Sequence, residues 1–141
     1  MTSRLEPPSG QPPPTEVQLG DGEPLDLAAL AREICRRYRA EFPDEAERYG
    51  DAGTAWCVHD NQHILNWAAG QLNGYVDLER ELAWLARVLE AREFPLDRLA
   101  RNLDIGADVV REQVGGKRGE DLGAVLAGGA AFVRSRDSFI E

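Results

Sequence analysis

The chain reads as an all-α protein, a single bundle of four to five helices behind a disordered, proline-rich N-terminal tail. Apolar residues recur at spacings of three and four through most of residues 25–141, and no segment sustains the alternation of a strand. The breaks between periodic segments fall on proline and glycine. A length of 141 residues suits one domain and is short for two. Six of the eight prolines lie within the first 24 residues, so residues 1–24 are expected to be the tail and residues 25–141 the helical domain.

Asp26 is a good N-cap for a first helix, in which Leu27, Leu30, Ala31, Ile34, Cys35 and Tyr38 keep the helical period. Phe42-Pro43 closes it, because the residue before proline is pushed out of the α region. Asp44 to Tyr49 forms a short helical turn ending at Gly50. A long second helix then runs from about Thr54 to Leu72 and stops at Asn73-Gly74. Asp77 caps a third helix, striped by Leu78, Leu82, Leu85 and Leu89 and widened by Trp84 and Val88. Phe94-Pro95 breaks the chain, and Pro95 suits the first turn of a fourth helix carrying Leu96, Leu99, Leu103, Val110 and Val114. Gly115 to Gly119 reads as a flexible connection, and the last helix runs from Asp121 to about Arg134. Gly123, Gly128 and Gly129 each cost that helix about 1 kcal/mol relative to alanine, which close packing on a neighbour or a second copy would explain.

The formal net charge is −9, from 16 basic and 25 acidic residues. Arg4 against Glu6, Glu16, Asp21 and Glu23 leaves −3 on the first 24 residues and −6 on the body. Such a field repels phosphate backbones, so no nucleic-acid partner is expected. The one basic cluster, Arg32, Arg36, Arg37 and Arg39, reads as a solvated helix face. No apolar run approaches the roughly 20 residues of a membrane span, and Met1 to Pro14 lacks the apolar stretch of a secretory signal. With only Cys35 and Cys57, neither a disulfide framework nor a four-thiolate zinc site is expected. The cysteines read as core packing, in a protein of the reducing cytoplasm.

Both histidines fall in the second helix. At about 100° per residue, Trp56, His59, Asp60, His63 and Trp67 share one sector, with Cys57, Ile64 and Ala68 on the adjoining side. Two aromatic rings thus bracket two imidazoles and a carboxylate, which makes this stripe the candidate site, with Trp84 as an accessory. Spaced i and i+4, His59 and His63 can ligate one divalent metal, provided Glu79, Glu81 or Asp104 adds a third ligand. The helical zinc-protease pattern places Glu after the first His, whereas Asp60 stands here. Alternatively, indole faces with directed polar groups form a ligand or partner pocket, including one for a flat, tetrapyrrole-like molecule. The same residues also suit a buried polar seam in which the imidazoles and Asp60 satisfy their neighbours.

Catalysis lacks a full residue set. Cys57 and His59 point about 160° apart on a helix. Asp44, Glu45 and Glu47 read as a solvated acidic patch, and Gly115 to Gly119 lacks the spacing and preceding strand of a phosphate loop.

The stretches His63-Ile-Leu-Asn-Trp-Ala-Ala, Leu82-Ala-Trp-Leu-Ala-Arg-Val-Leu-Glu-Ala-Arg-Glu-Phe-Pro and Leu99-Ala-Arg-Asn-Leu resemble helical modules found beside cobalamin-binding domains in bacterial regulatory proteins. The similarity covers roughly Glu41 to Val114 and implies a sensory or interaction role without catalysis. The Asp-x-His-x-x-Gly motif of the corrinoid domain itself is missing, since neither His59 nor His63 has Gly three residues later. The resemblance therefore implies a stand-alone helical module. The expected function is a non-catalytic regulatory module that meets a protein partner or a second copy of itself through Trp56, His59, Asp60, His63 and Trp67. The alternatives are a metal bundle and a flat-ligand sensor.

Overall fold

A computed structural model describes residues 12–140. Five helices make up the all-α bundle: α1 (Leu27–Glu41), α2 (Asp44–Asn73), α3 (Leu78–Ala91), α4 (Leu96–Gln113) and α5 (Gly116–Arg134). The Asp26 carboxylate caps α1 by accepting from the Ala29 N–H at 3.0 Å, and Asp77 caps α3 by accepting from the Arg80 N–H at 3.4 Å. The helical turn and the long helix expected on either side of Gly50 are one rod, kinked where Gly50 takes φ 60° and ψ −149°. That conformation is essentially confined to glycine. The rod ends at Gly74 in the left-handed region, φ 94°.

The apolar stripes meet in one core. Leu27, Ile34, Leu65, Leu78, Leu82, Leu103, Leu122 and Val133 are among its fully buried side chains. The segment after α5 folds back on α3, where the Glu90 carboxylate accepts from the Ser138 hydroxyl at 2.7 Å and the Phe139 N–H at 2.8 Å. Phe139 is buried beside Phe132. Among the described residues, no helix is long and apolar enough to cross a membrane.

Three expectations need correction. The tail was expected to run through residue 24; residues 1–11 lie outside the described residues, but residues 12–24 are built into the fold. Strand β1 (Glu16–Val17) pairs antiparallel with β2 (Leu25–Asp26), setting Glu16 opposite Asp26 and Val17 opposite Leu25. Leu19 is buried, and side chains of α2 bind the segment's carbonyls: Gln62 donates to Pro14 O and Asn73 to Gln18 O, each at 2.9 Å. Short strand pairing, one buried leucine and a few side-chain contacts, among them Arg118 donating to Glu23 O at 2.6 Å, achieve this, a pattern too sparse to show against the prolines.

The connection expected over Gly115 to Gly119 shrinks, because α5 begins at Gly116 and takes in Lys117, Arg118 and Gly119. A Cβ on Gly119 would stand 2.9 Å from the Val110 carbonyl oxygen, so this glycine marks close approach of α5 to α4 rather than flexibility. Finally, Cys35 of α1 and Cys57 of α2 are joined in a disulfide, with Cα atoms 6.0 Å apart. Each occupies a position turned towards the neighbouring helix, and packing α1 on α2 brings the two sulfurs together.

Candidate functional site

A cavity of about 100 Å³ lies beside α2, bounded by Tyr38 of α1, the second half of α3 and the first half of α4. The Gly50 kink lays Tyr49 against Gly53, a position where a Cβ would collide with the tyrosine side chain. From α2, Tyr49, Trp56, Asp60, Asn61 and Ile64 line the space; Leu85 and Leu89 come from α3, Arg92 from the cap that ends it, and Arg98, Leu99 and Asn102 from α4. Most of this wall is apolar, with a few polar groups converging on it, the usual composition of a small-molecule site.

The polar groups divide into satisfied and unsatisfied ones. Asn61 and Asn102 exchange amide hydrogen bonds of 3.1 and 2.8 Å across the α2–α4 contact, and Asn61 also donates to the Cys57 carbonyl at 3.0 Å. Tyr38 donates its hydroxyl proton to Glu45 at 2.6 Å, and burial together with that carboxylate pushes the phenol well above its ordinary pKa. Arg98 donates to Glu45 at 2.8 Å and to Asp44 at 3.0 Å while lying over the Phe42 ring. The acidic run before the second helix is therefore clamped by α4 through Asp44 and Glu45 rather than left as a solvated face. The Trp56 indole nitrogen is different: it is buried and has no hydrogen-bond partner. Burying such a donor without an acceptor costs about 1–3 kcal/mol.

Asp60, one turn along α2 from Trp56, has an Oδ1 at 3.4 Å from His59 Nδ1. Burial pushes its carboxyl above the ordinary range, opposed by His59 and by the Arg92 guanidinium. Arg92 itself is exposed at the cavity and stands 5.7 Å from the centroid of the Trp56 indole.

The stripe expected as one surface thus separates into two parts. Trp56 and Asp60 line the cavity, while His59, His63 and Trp67 stack along α2 beside it. The two imidazole centroids are 4.7 Å apart, and the Trp67 ring lies 6.0 Å from His63. His59 and His63 are only 7% and 8% exposed, so they are not a solvent-facing contact surface. Trp67 is half-buried against the core, and Trp84, 36% exposed, is not part of the cavity wall. Among the described residues, no group of three His, Cys, Asp or Glu side chains is placed to hold a metal ion. The third ligand sought from Glu79, Glu81 or Asp104 is not supplied, and Asp104 is instead held by Arg134 at 2.7 Å.

Sequence reasoning missed Asn61, Asn102, Arg92 and Tyr49. A signal existed for Asn102, an amide within about 60° of Leu99 on the helical wheel, adjoining the apolar side of its helix. None existed for Arg92 or Tyr49, which reach the cavity through a helix end and a kink. No protein-family model matches the chain, and no curated protein or solved structure matches it either.

Proposed function

We propose that the chain is a regulatory or interaction module, without catalysis, that responds to a small molecule held in the cavity beside α2. The observation that carries this reading is the Trp56 indole N–H, buried without an acceptor in the wall of a largely apolar cavity. A ligand acceptor would relieve that cost on binding. The resemblance to helical modules beside cobalamin-binding domains agrees with a sensory role. A tetrapyrrole is too large for this space, since pockets for such ligands begin at about 300 Å³. Trp84 remains the exposed indole available to a protein partner or a second copy.

A cytoplasmic setting stays part of the proposal and has a consequence for the disulfide. Reducing compartments keep thiols open, so rapid alkylation during cell lysis should trap Cys35 and Cys57 as thiols there.

Nitrogen–proton NMR of the full chain against a set of small polar fragments tests the ligand reading. Binding fragments should move the Trp56 indole signal together with the Asn61 and Asn102 side-chain amides, leaving the Trp84 indole in place. A set that moves only Trp84, or no indole at all, overturns the cavity as the site.

A further inference from the structure

Arg98 is taken by Asp44 and Glu45. Arg92 is exposed and, among the described residues, forms no ion pair with Asp60. Burying a charged ligand here carries a large desolvation cost, and an anion would also meet the Asp60 carboxylate. The Asn61 and Asn102 amides are tied to each other across the α2–α4 contact. Two groups of the wall stand side by side, one helical turn apart: the partnerless Trp56 indole N–H and the Asp60 carboxyl, whose contact with His59 is long at 3.4 Å. Side chains spaced i and i+4 are neighbours on a helix surface. They present a hydrogen-bond donor beside an acceptor.

We propose that the ligand class of this cavity is a small uncharged amide or lactam, its carbonyl oxygen accepting from Trp56 Nε1–H and its adjacent N–H donating to Asp60. This rests on the cavity being the ligand site, as proposed above. The hydrocarbon part of such a molecule would pack on Ile64, Leu85 and Leu99, and about 100 Å³ admits a single small ring. The chemistry discriminates sharply. A ketone of the same shape satisfies Trp56 but leaves Asp60 without a donor, an ammonium gives Trp56 nothing to donate to, and a carboxylate faces Asp60 with like charge.

The test compares four five- or four-membered-ring probes on the full-length chain by NMR titration: γ-butyrolactam, cyclopentanone, pyrrolidine and cyclobutanecarboxylate. The lactam should bind at least about fivefold more tightly than each of the others, moving the Trp56 indole signal. In Asp60→Leu, checked for folding by its thermal melt, the preference for lactam over cyclopentanone should fall to about one. Equal binding of lactam and ketone to the unaltered chain, or tightest binding of either ion, overturns the amide class while leaving the cavity as a ligand site. Failure of all four probes to move Trp56 overturns both. The four-probe comparison needs no variant, so a misfolded substitution would not protect the proposal.

Discussion

Asp60 sits in the cavity wall with a carboxyl that burial holds above its ordinary pKa of 3.8. The folded chain then binds that proton more tightly than the unfolded chain. The stability linked to Asp60 is fully present below the unfolded pKa and is lost as pH rises through the folded one. Replacing it by asparagine should abolish this loss, so Asp60→Asn should melt above the unaltered chain at pH 7, with the advantage shrinking as pH falls towards 3.8. A melting difference that stays constant with pH would contradict the assignment. Glu33 runs the other way, lowered from 4.5 to about 2 chiefly by hydrogen bonds from Arg36 and Arg37. Glu41, Asp44 and Glu112 are likewise lowered by arginine partners. Stability from these groups is present above their unfolded pKa values and is lost as pH falls. Helical circular dichroism should therefore show thermal stability declining between pH 4.5 and about 2. At this scale the sequence was half legible: periodicity places Trp56 and Asp60 on one face, but not the separation of that face from His59 and His63. That separation depends on where α1, α3 and α4 press against α2, which no local pattern encodes.

Helix boundaries were largely legible because caps and breakers act within a turn of where they stand. Asp26, Phe42-Pro43, Asn73-Gly74 and Asp77 each do in the fold what their chemistry dictates. Glycine was the ambiguous letter, since one residue type serves as kink, close contact and exposed filler. Gly50 is the kink, Gly119 and Gly129 are close contacts, and Gly128 is exposed with nothing near its missing Cβ. A Cβ on Gly129 would stand 2.8 Å from a Leu82 methyl of α3, whereas one on Gly128 meets open space. Gly128→Ala should accordingly stabilise the chain by about 0.5–1 kcal/mol through helix propensity alone. Gly50→Ala should destabilise it by about 1–3 kcal/mol, because alanine resists φ 60° with ψ −149°. Urea denaturation of both variants checks the pair. Equal shifts of the same sign would mean that the two glycines have been assigned the wrong roles.

For the molecule as a whole, the disulfide decides how firmly the cavity is held. Cys35 and Cys57 are 22 residues apart, and their bond ties α1 to α2 at a cysteine that also lines the cavity. Closing a loop of that size restricts the unfolded chain and stabilises the fold by about 3 kcal/mol. The count of two cysteines concealed this, because a pair is too few to read as a framework yet sufficient for one bond when two helices pack face to face. Reduction should lower the urea midpoint of the chain without removing its helices, since the core of α3, α4 and α5 does not include the bond. The Cys35→Ala, Cys57→Ala double variant separates constraint from chemistry. Should it lose about as much stability as the reduced chain, the bond acts as a tie between helices. A much larger loss on reduction alone would mean that the two thiols, held beside the Asn61 amide, disturb the α2–α4 contact directly. In either case the cavity is the first feature to respond, because Cys57 forms part of its wall. The Trp56 indole signal should therefore shift on reduction even before ligand is added, and an unmoved signal would show that the bond and the cavity are uncoupled.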